Sequence, residues 1–288
     1  MKTAAIFSLL LIGIIGSSCS QIKNKNVKSP SGYDLSKPVK YVMPSELLEI
    51  SGIAFNNGDN SRIYAEQDED GNIYYFRLGD KQVSHAKFGK HGDYEDVAII
   101  GNRAIMLRSD GKFYSLALNE INSGKLTDIK EFDNLLPAGE YEGLHADQAA
   151  NKLYALCKQC PGDKHEKECS GFILNVSADG SIVNAGNFKI DVSKISELIS
   201  KKKLKFHPSA LAKNPLTKQW YILSSVNKLL VVADESWNVQ QVYPLNADAF
   251  LQPEGMAFDK QGNLYISNEG NQINNGNILQ FKYSKVND

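Results

Sequence analysis

The sequence predicts an all-β fold, a five-bladed β-propeller of four-stranded blades whose ring is closed by the N-terminal strand. Three observations carry this. A short pattern recurs five times, opening at Ser51-Gly52-Ile53-Ala54, Glu95-Asp96-Val97-Ala98, Glu142-Gly143-Leu144-His145, Ser209-Ala210-Leu211-Ala212 and Glu254-Gly255-Met256-Ala257. The second residues of successive copies lie 44, 47, 67 and 45 positions apart, and periods in the forties with several strands per unit mark propeller blades. The last copy stops after its third strand, near Tyr283, while the strand-like segment from Lys37 to Met43 precedes the first copy. Pairing that spare segment with the incomplete blade removes an unpaired edge and ties the two termini together, whereas an open sandwich of the same strands would require neither the repeat nor the offset termini.

Taken in order, the chain opens on Lys2 and the apolar run Ala4 to Ile15, a charged start and a hydrophobic segment too short to span a bilayer comfortably. Residues 1–18 therefore read as an export signal. The small residues Gly16-Ser17-Ser18 directly before Cys19 resemble a lipobox, so lipidation on Cys19 is expected, with attachment to the membrane through the lipid alone. The expected location is the cell envelope, at the periplasmic face or the outer membrane. Residues 19–32 are polar, rich in lysine and without apolar periodicity, the composition of a tether, and residues 33–288 form the propeller domain.

Within each copy the opening strand is followed about ten residues later by a second, Arg62 to Ala65, Ala104 to Leu107, Lys152 to Leu156, Trp220 to Leu223 and Asn263 to Ser267. Third strands follow at Ile73 to Phe76, Phe113 to Leu116, Phe172 to Val176, Leu229 to Ala233 and Ile278 to Phe281. Fourth, more polar segments are Gln82 to Phe88, Asp128 to Phe132, Asn187 to Ile190 and Val239 to Leu245. The long third interval holds an insertion, in which Val192 to Leu204 has helical apolar spacing and is expected to cap one face. The 42% hydrophobic content is ordinary for a globular domain, and the net charge of −1 lacks the basic footprint of a nucleic-acid binder.

In a propeller the first strand of each blade lines the central channel, so equivalent residues share one level around it. That level holds Ser51, Glu95, Glu142, Ser209 and Glu254. Three carboxylates in a narrow channel repel unless protonated or bridged by a cation, and an all-oxygen set favours calcium. Glu95, Glu142 and Glu254 are the expected metal ligands. The second strands return to the same mouth and bring Asp68, Asn268 and Glu269, with Arg108 available to neutralise one carboxylate. The segment Asp68 to Asn72 lacks the glycine and glutamate of an EF-hand and reads as a hairpin turn. Cys157, Cys160, His165 and Cys169 have spacing that suits a Cys3His zinc site, but an oxidising envelope favours a disulfide among the three cysteines with one thiol left over. The remaining histidines, including His145 and His207, read as structural.

The segments E-I-S-G-I-A-F (49–55), G-D-Y-E-D-V-A (92–98), E-Y-E-G-L (140–144), H-P-S-A-L-A (207–212), Q-P-E-G-M-A-F-D (252–259) and N-L-Y-I-S-N-E-G (263–270) resemble the SdiA-regulated family over nearly the whole domain. The resemblance implies an envelope β-propeller, frequently a lipoprotein. The resulting expectation is a monomeric, lipid-anchored module that binds a small ligand or an envelope protein at its acidic mouth, with calcium there. The alternative is a calcium-dependent hydrolase of lactones or phosphoesters, similar in architecture to gluconolactonases and paraoxonases, with the three glutamates holding the metal that polarises the substrate oxygen.

Overall fold

The computed structural model describes residues 28–285. The signal segment and Cys19 lie outside the described residues. The chain starts the ring with β1 (Val39–Val42). It then lays down blade 1, β2 (Ile50–Asn56), β3 (Asp59–Gln67), β4 (Asn72–Phe76) and β5 (Ser84–Lys87), and blade 2, β6 (Tyr94–Ile100), β7 (Arg103–Arg108), β8 (Phe113–Ala117) and β9 (Ile129–Phe132). Blade 3 is β10 (Glu140–Asp147), β11 (Lys152–Gln159), β12 (Glu168–Val176) and β13 (Ile182–Asp191). Blade 4 is β14 (Ala210–Lys213), β15 (Trp220–Ser224), β16 (Leu229–Ala233) and β17 (Val239–Pro244). Blade 5 is β18 (Pro253–Phe258), β19 (Leu264–Asn268) and β20 (Asn277–Phe281), completed by β1.

Every sheet is antiparallel and four-stranded, and β1 pairs with β20 in the register Val39 to Gln280 through Val42 to Asn277. The five-bladed fold and its closure by the N-terminal strand are as the repeat implied. Neighbouring inner strands touch in a closed cycle, β2 to β6, β6 to β10, β10 to β14, β14 to β18 and β18 back to β2. Because a blade buries both faces against its neighbours, the inner strands read as near-continuous apolar runs rather than as alternation, and the apolar residues gather into one core at each of the five blade interfaces.

The insertion divides differently from its expected form. A single turn that the sequence pattern does not mark, α1 (Leu118–Ile121), lies outside the insertion, in blade 2 after β8, and the helix expected over Val192 to Leu204 forms α2 (Val192–Leu198) only. Asp191 caps its start by accepting from the Lys194 N–H at 3.0 Å, and Ser200 at φ +55° ends it, after which Leu204 and Phe206 are buried in extended chain. The helix packs beside β12 and β17, between the outer parts of blades 3 and 4, and Leu198 on the expected apolar stripe is exposed. Much of the added length lies in the extended β12–β13 hairpin.

The end of the expected tether is docked from Ser29 onward. Leu35 N–H donates to Ser29 Oγ at 2.9 Å and Ser284 N–H donates to Gly32 O at 2.8 Å. Gly32, at φ +87°, lies so close to the Tyr283 ring that a Cβ there would clash with it. Tyr33 then inserts between blades 4 and 5, its hydroxyl donating to Gly262 O at 2.6 Å and accepting from Asn214 Nδ2 at 2.8 Å. Tyr33→Phe strands both groups in the interior and is expected to lower the unfolding free energy by about 1–3 kcal/mol. A urea titration checks this, and an unchanged midpoint would mean that the hydroxyl does not bind the two blades.

Candidate functional site

Four of the five inner strands begin with a β-bulge. Pairing skips from Ile50 to Ile53, from Tyr94 to Asp96, from Tyr141 to Gly143 and from Pro253 to Gly255. Ser51, Glu95, Glu142 and Glu254 are thus left out of the ladder. A bulge re-aims the extra residue while its neighbours stay paired, and this is how polar side chains are set at one level among otherwise apolar strands. The glycine after three of them is required by close approach rather than by φ. A Cβ at Gly52 would meet Asp96, one at Gly143 would meet the Ala210–Leu211 backbone, and one at Gly255 would meet Ser51 O at 2.2 Å.

Two of the expected mouth residues, Ser51 and Ser209, hold the ring itself, together with Ser267. Ser51 Oγ donates to Glu95 O at 3.1 Å, joining blades 1 and 2, and Ser209 Oγ donates to Pro253 O at 2.9 Å, joining blades 4 and 5. Ser267 Oγ donates to Ser51 O at 2.5 Å and joins blade 5 to blade 1. Blades 2 and 3 are joined by Asp96, whose Oδ2 accepts from the Leu144 N–H at 2.6 Å. Asn268 is fully buried, and its amide donates to Asn277 Oδ1 at 3.2 Å within blade 5. Ser51, Ser209 and Asn268 are therefore structural groups at the mouth.

Glu95, Glu142 and Glu254 do share one electrostatic environment, and Glu269 and Asp68 extend it. Burial, then Glu142 and Asp93, push Glu95 up to about 9. Burial and then Glu254 push Glu142 up to about 8, with Lys158 opposing. Glu254 is also raised by burial, offset in part by the Ser225 hydroxyl, Lys158, the Ser209 hydroxyl and Lys228. Glu269, which accepts from Gln252 Nε2 at 2.7 Å, is pushed up to about 8 by burial and then Glu254 and Asp68. Asp68 is raised to about 6 by burial and then Glu49 and Glu69.

The group that sequence reasoning missed is Lys158, at the end of β11. It forms ion pairs with Glu142 and, at 2.9 Å, with Glu140. Burial works against its charge, but Glu142 and Glu140 outweigh it and raise its pKa. Arg108, the cation expected there, instead pairs with Asp110 at 2.6 Å. The signal for Lys158 lay in its position: it stands inside C-K-Q-C, and Cys157 and Cys160 are disulfide-bonded around it. Cys169 is the free thiol, buried and donating to Cys157 O at 3.1 Å. With two of the sulfurs in the disulfide, the Cys3His set is not available as a zinc site. His165 instead stacks on His207 at 5.7 Å.

Deeper still, Glu66 and Asp96 are fully buried and raised well above the usual carboxylate range, chiefly by burial. Glu66 Oε1 accepts from the Gly52 N–H at 2.6 Å, while Glu66 Oε2 and Asp68 Oδ1 are buried without a hydrogen-bond partner. Among the described residues no group of three or more carboxylates, histidines or cysteines is spaced to ligate an ion as placed. The oxygen chemistry of the mouth fits a hard cation, but its spacing does not form a ready ligand set.

A cavity of about 690 Å³ occupies the opposite mouth, at the far ends of the inner strands, walled by Phe55, Ile99, His145, Ala212 and Phe258 among others. Its charges balance in number, Asp147, Glu235 and Asp259 against Lys213, Lys218 and Lys260: Lys213 pairs with Glu235 at 3.3 Å, and burial holds His145, down at about 4, as the neutral ring packed edge-on to Trp220. Uncompensated negative charge belongs to the other end.

Fold and site together define a five-bladed β-propeller with an acid-ringed channel mouth. Residues 33–273 match the SdiA-regulated family, and the chain belongs to it. No match was found among curated proteins. Solved structures of similar fold include the glutaminyl cyclase of Myxococcus xanthus, 13% identical with a TM-score of 0.57 over 86% of this chain and 96% of that one. A luciferin-regenerating enzyme is 10% identical with a TM-score of 0.52, over 85% and 95%. Regucalcin of Agrobacterium tumefaciens, a calcium-binding protein, is 13% identical with a TM-score of 0.50, over 88% and 95%. At these identities the likeness is one of fold.

The raised carboxyls link the mouth to stability. They bind protons more tightly folded than unfolded, so their contribution is full below the ordinary carboxylate range and is lost as pH rises through about 6 for Asp68, 8 for Glu142 and Glu269 and 9 for Glu95. Glu95→Gln is expected to match the native chain near pH 5 and to exceed its stability by roughly 1 kcal/mol or more near pH 9. Chemical denaturation at the two pH values measures this, and a variant equally stable or weaker at pH 9 would show that Glu95 carries no such strain.

Proposed function

We propose that this protein is a binding module of the cell envelope whose acidic channel mouth takes a cationic ligand, with calcium as the hard-cation form. The observation that carries the reading is the imbalance at the mouth. Glu95, Glu142, Glu254, Glu269 and Asp68 are all raised by burial and most by one another, while Lys158 is committed to Glu142 and Glu140. A carboxyl kept protonated by its neighbours releases that proton when a cation arrives, so binding strengthens with pH and expels protons. Glu95 and Glu254, which feel Lys158 without being its ion-pair partners, would supply the first oxygens, and Glu142 would join if Lys158 swung away.

Calorimetric titration of calcium and of a simple diamine into EDTA-treated protein tests this. Binding is expected to be tighter at pH 8 than at pH 5.5, to release protons, and to weaken about tenfold or more in Glu254→Gln. If neither cation binds at either pH, the reading fails.

The module is proposed to be monomeric and held at the membrane by acyl chains on Cys19. Small residues before that cysteine support the anchor, and the closed ring supports the monomer because it leaves the inner and outer strands of blade 5 paired. Among the described residues no helix is long and apolar enough to cross a membrane. Cys19→Ser is expected to move the protein from the detergent phase to the aqueous phase on Triton X-114 partition. An unaltered partition would remove the lipid from the proposal.

A further inference from the structure

A second cavity, of about 600 Å³, opens between blades 1 and 2 on the outer side of the ring, and its chemistry is opposite to that of the channel mouth. Lys87, Lys90, His91, Arg108 and Lys112 line it, with Glu131 as its acid. Its floor is a cluster of buried rings, Phe88 against Tyr94 at 5.0 Å and against Tyr114 at 5.3 Å, with Tyr94 and Tyr114 at 6.0 Å. A rigid wall carries the lysines. The Phe88 and Gly89 N–H groups both donate to Gly71 O, at 2.8 and 3.0 Å, the Gly92 N–H donates to Glu69 O at 2.9 Å, and the Tyr94 hydroxyl donates to Lys90 O at 3.0 Å. Gly89 has no room for a side chain, since a Cβ would stand 2.4 Å from the Tyr94 hydroxyl oxygen.

The charges sort into two kinds. Lys112 is spent on Glu131 at 3.0 Å and Asp133 at 3.4 Å, which also removes Glu131 as a repelling group. Lys87 and Lys90 are exposed and, among the described residues, make no ion pair. Arg108 is oriented by Asp110 through Nη2, yet its Nε is buried without an acceptor. A buried guanidinium N–H with no partner is costly, and a cavity beside it offers room for the missing oxygen. Two free ammonium groups at the rim and one unused guanidinium N–H call for a dianion with several acceptor oxygens rather than a single carboxylate.

We infer that this cavity binds a soluble phosphomonoester, its phosphate received by Lys87, Lys90 and Arg108 Nε and its organic part lodged over the Phe88, Tyr94 and Tyr114 rings. The volume suits a molecule about the size of a sugar phosphate. The site is distinct from the acidic mouth, because the lysines belong to β5, the loop after it and the turn before β8, and Arg108 to the last position of β7 opposite Tyr94, whereas the acids of the mouth stand on the bulges of the inner strands.

The test is ³¹P NMR and calorimetric titration at fixed ionic strength, with glucose 6-phosphate, inorganic phosphate and unphosphorylated glucose as probes. The native chain is expected to bind both phosphates and not glucose. The double variant Lys87→Gln/Lys90→Gln, which alters exposed side chains alone, is expected to weaken phosphate binding about tenfold or more. A parallel Lys201→Gln/Lys202→Gln control is expected to leave it unchanged. No binding of either phosphate, equal affinity in the Lys87/Lys90 variant, or equal loss in the control would each overturn the inference. Co-sedimentation with phosphatidic acid vesicles without binding of the soluble phosphates would also overturn it, by assigning the lysines to a membrane surface.

Discussion

The structure depends on a belt of hydrogen bonds where the inner strands begin. Ser51 reaches Glu95 O, Asp96 receives the Leu144 N–H, Ser209 reaches Pro253 O and Ser267 reaches Ser51 O, so four of the five blade junctions are fastened at one level. At the fifth, between blades 3 and 4, Gly143 lies against the Ala210–Leu211 backbone, and away from that level the Phe206 N–H donates to His165 O at 3.2 Å. Five twisted sheets with apolar faces could pack at a range of spacings. Polar bonds of fixed length and direction select one.

The same belt concentrates charge. Two of the fastenings use the backbone carbonyl of a bulged acid or of its neighbour, Glu95 O and Pro253 O, so Glu95 and Glu254 cannot retreat from one another without loosening the ring. Protonation relieves them at low pH, and Lys158 relieves Glu142 and Glu140 at any pH below its own titration. Burial of Glu66 and Asp96 belongs to the same economy of space: a protonated carboxyl is small, and Asp96 accepts two backbone N–H groups, those of Val97 and Leu144, that would otherwise be orphaned.

What could be read from the sequence follows what repeats. Blade number, strand order, the closing strand and the level shared by Glu95, Glu142 and Glu254 are all written five times or at matched offsets, and hydrophobic period reports them directly. Features that occur once were not legible. Lys158 lies at the end of β11, past the Lys152 to Leu156 run that marks this second strand in the sequence, and Arg108 was assigned to the mouth because the end of β7 returns there, although its side chain turns to Asp110. The bulges were hidden because an extra residue looks like ordinary strand in a single chain, and only its partner reveals the skipped pair. Helix α2 ended early because apolar spacing persists through Leu204 while the backbone turns at Ser200.

Blade 5 holds both the earliest and the latest strands of the domain. Tyr41 on β1 bonds to Gln280 on β20, a partner 239 residues further along. During synthesis, β1 has no sheet to join until almost the entire domain has emerged, and Tyr33 likewise waits for Asn214 and Gly262. A chain interrupted anywhere before β20 keeps a loose leading segment and an unsealed gap, both open to proteolysis. The seam thereby acts as a check on completeness, admitting to the folded pool those molecules whose last strand has arrived to meet their first.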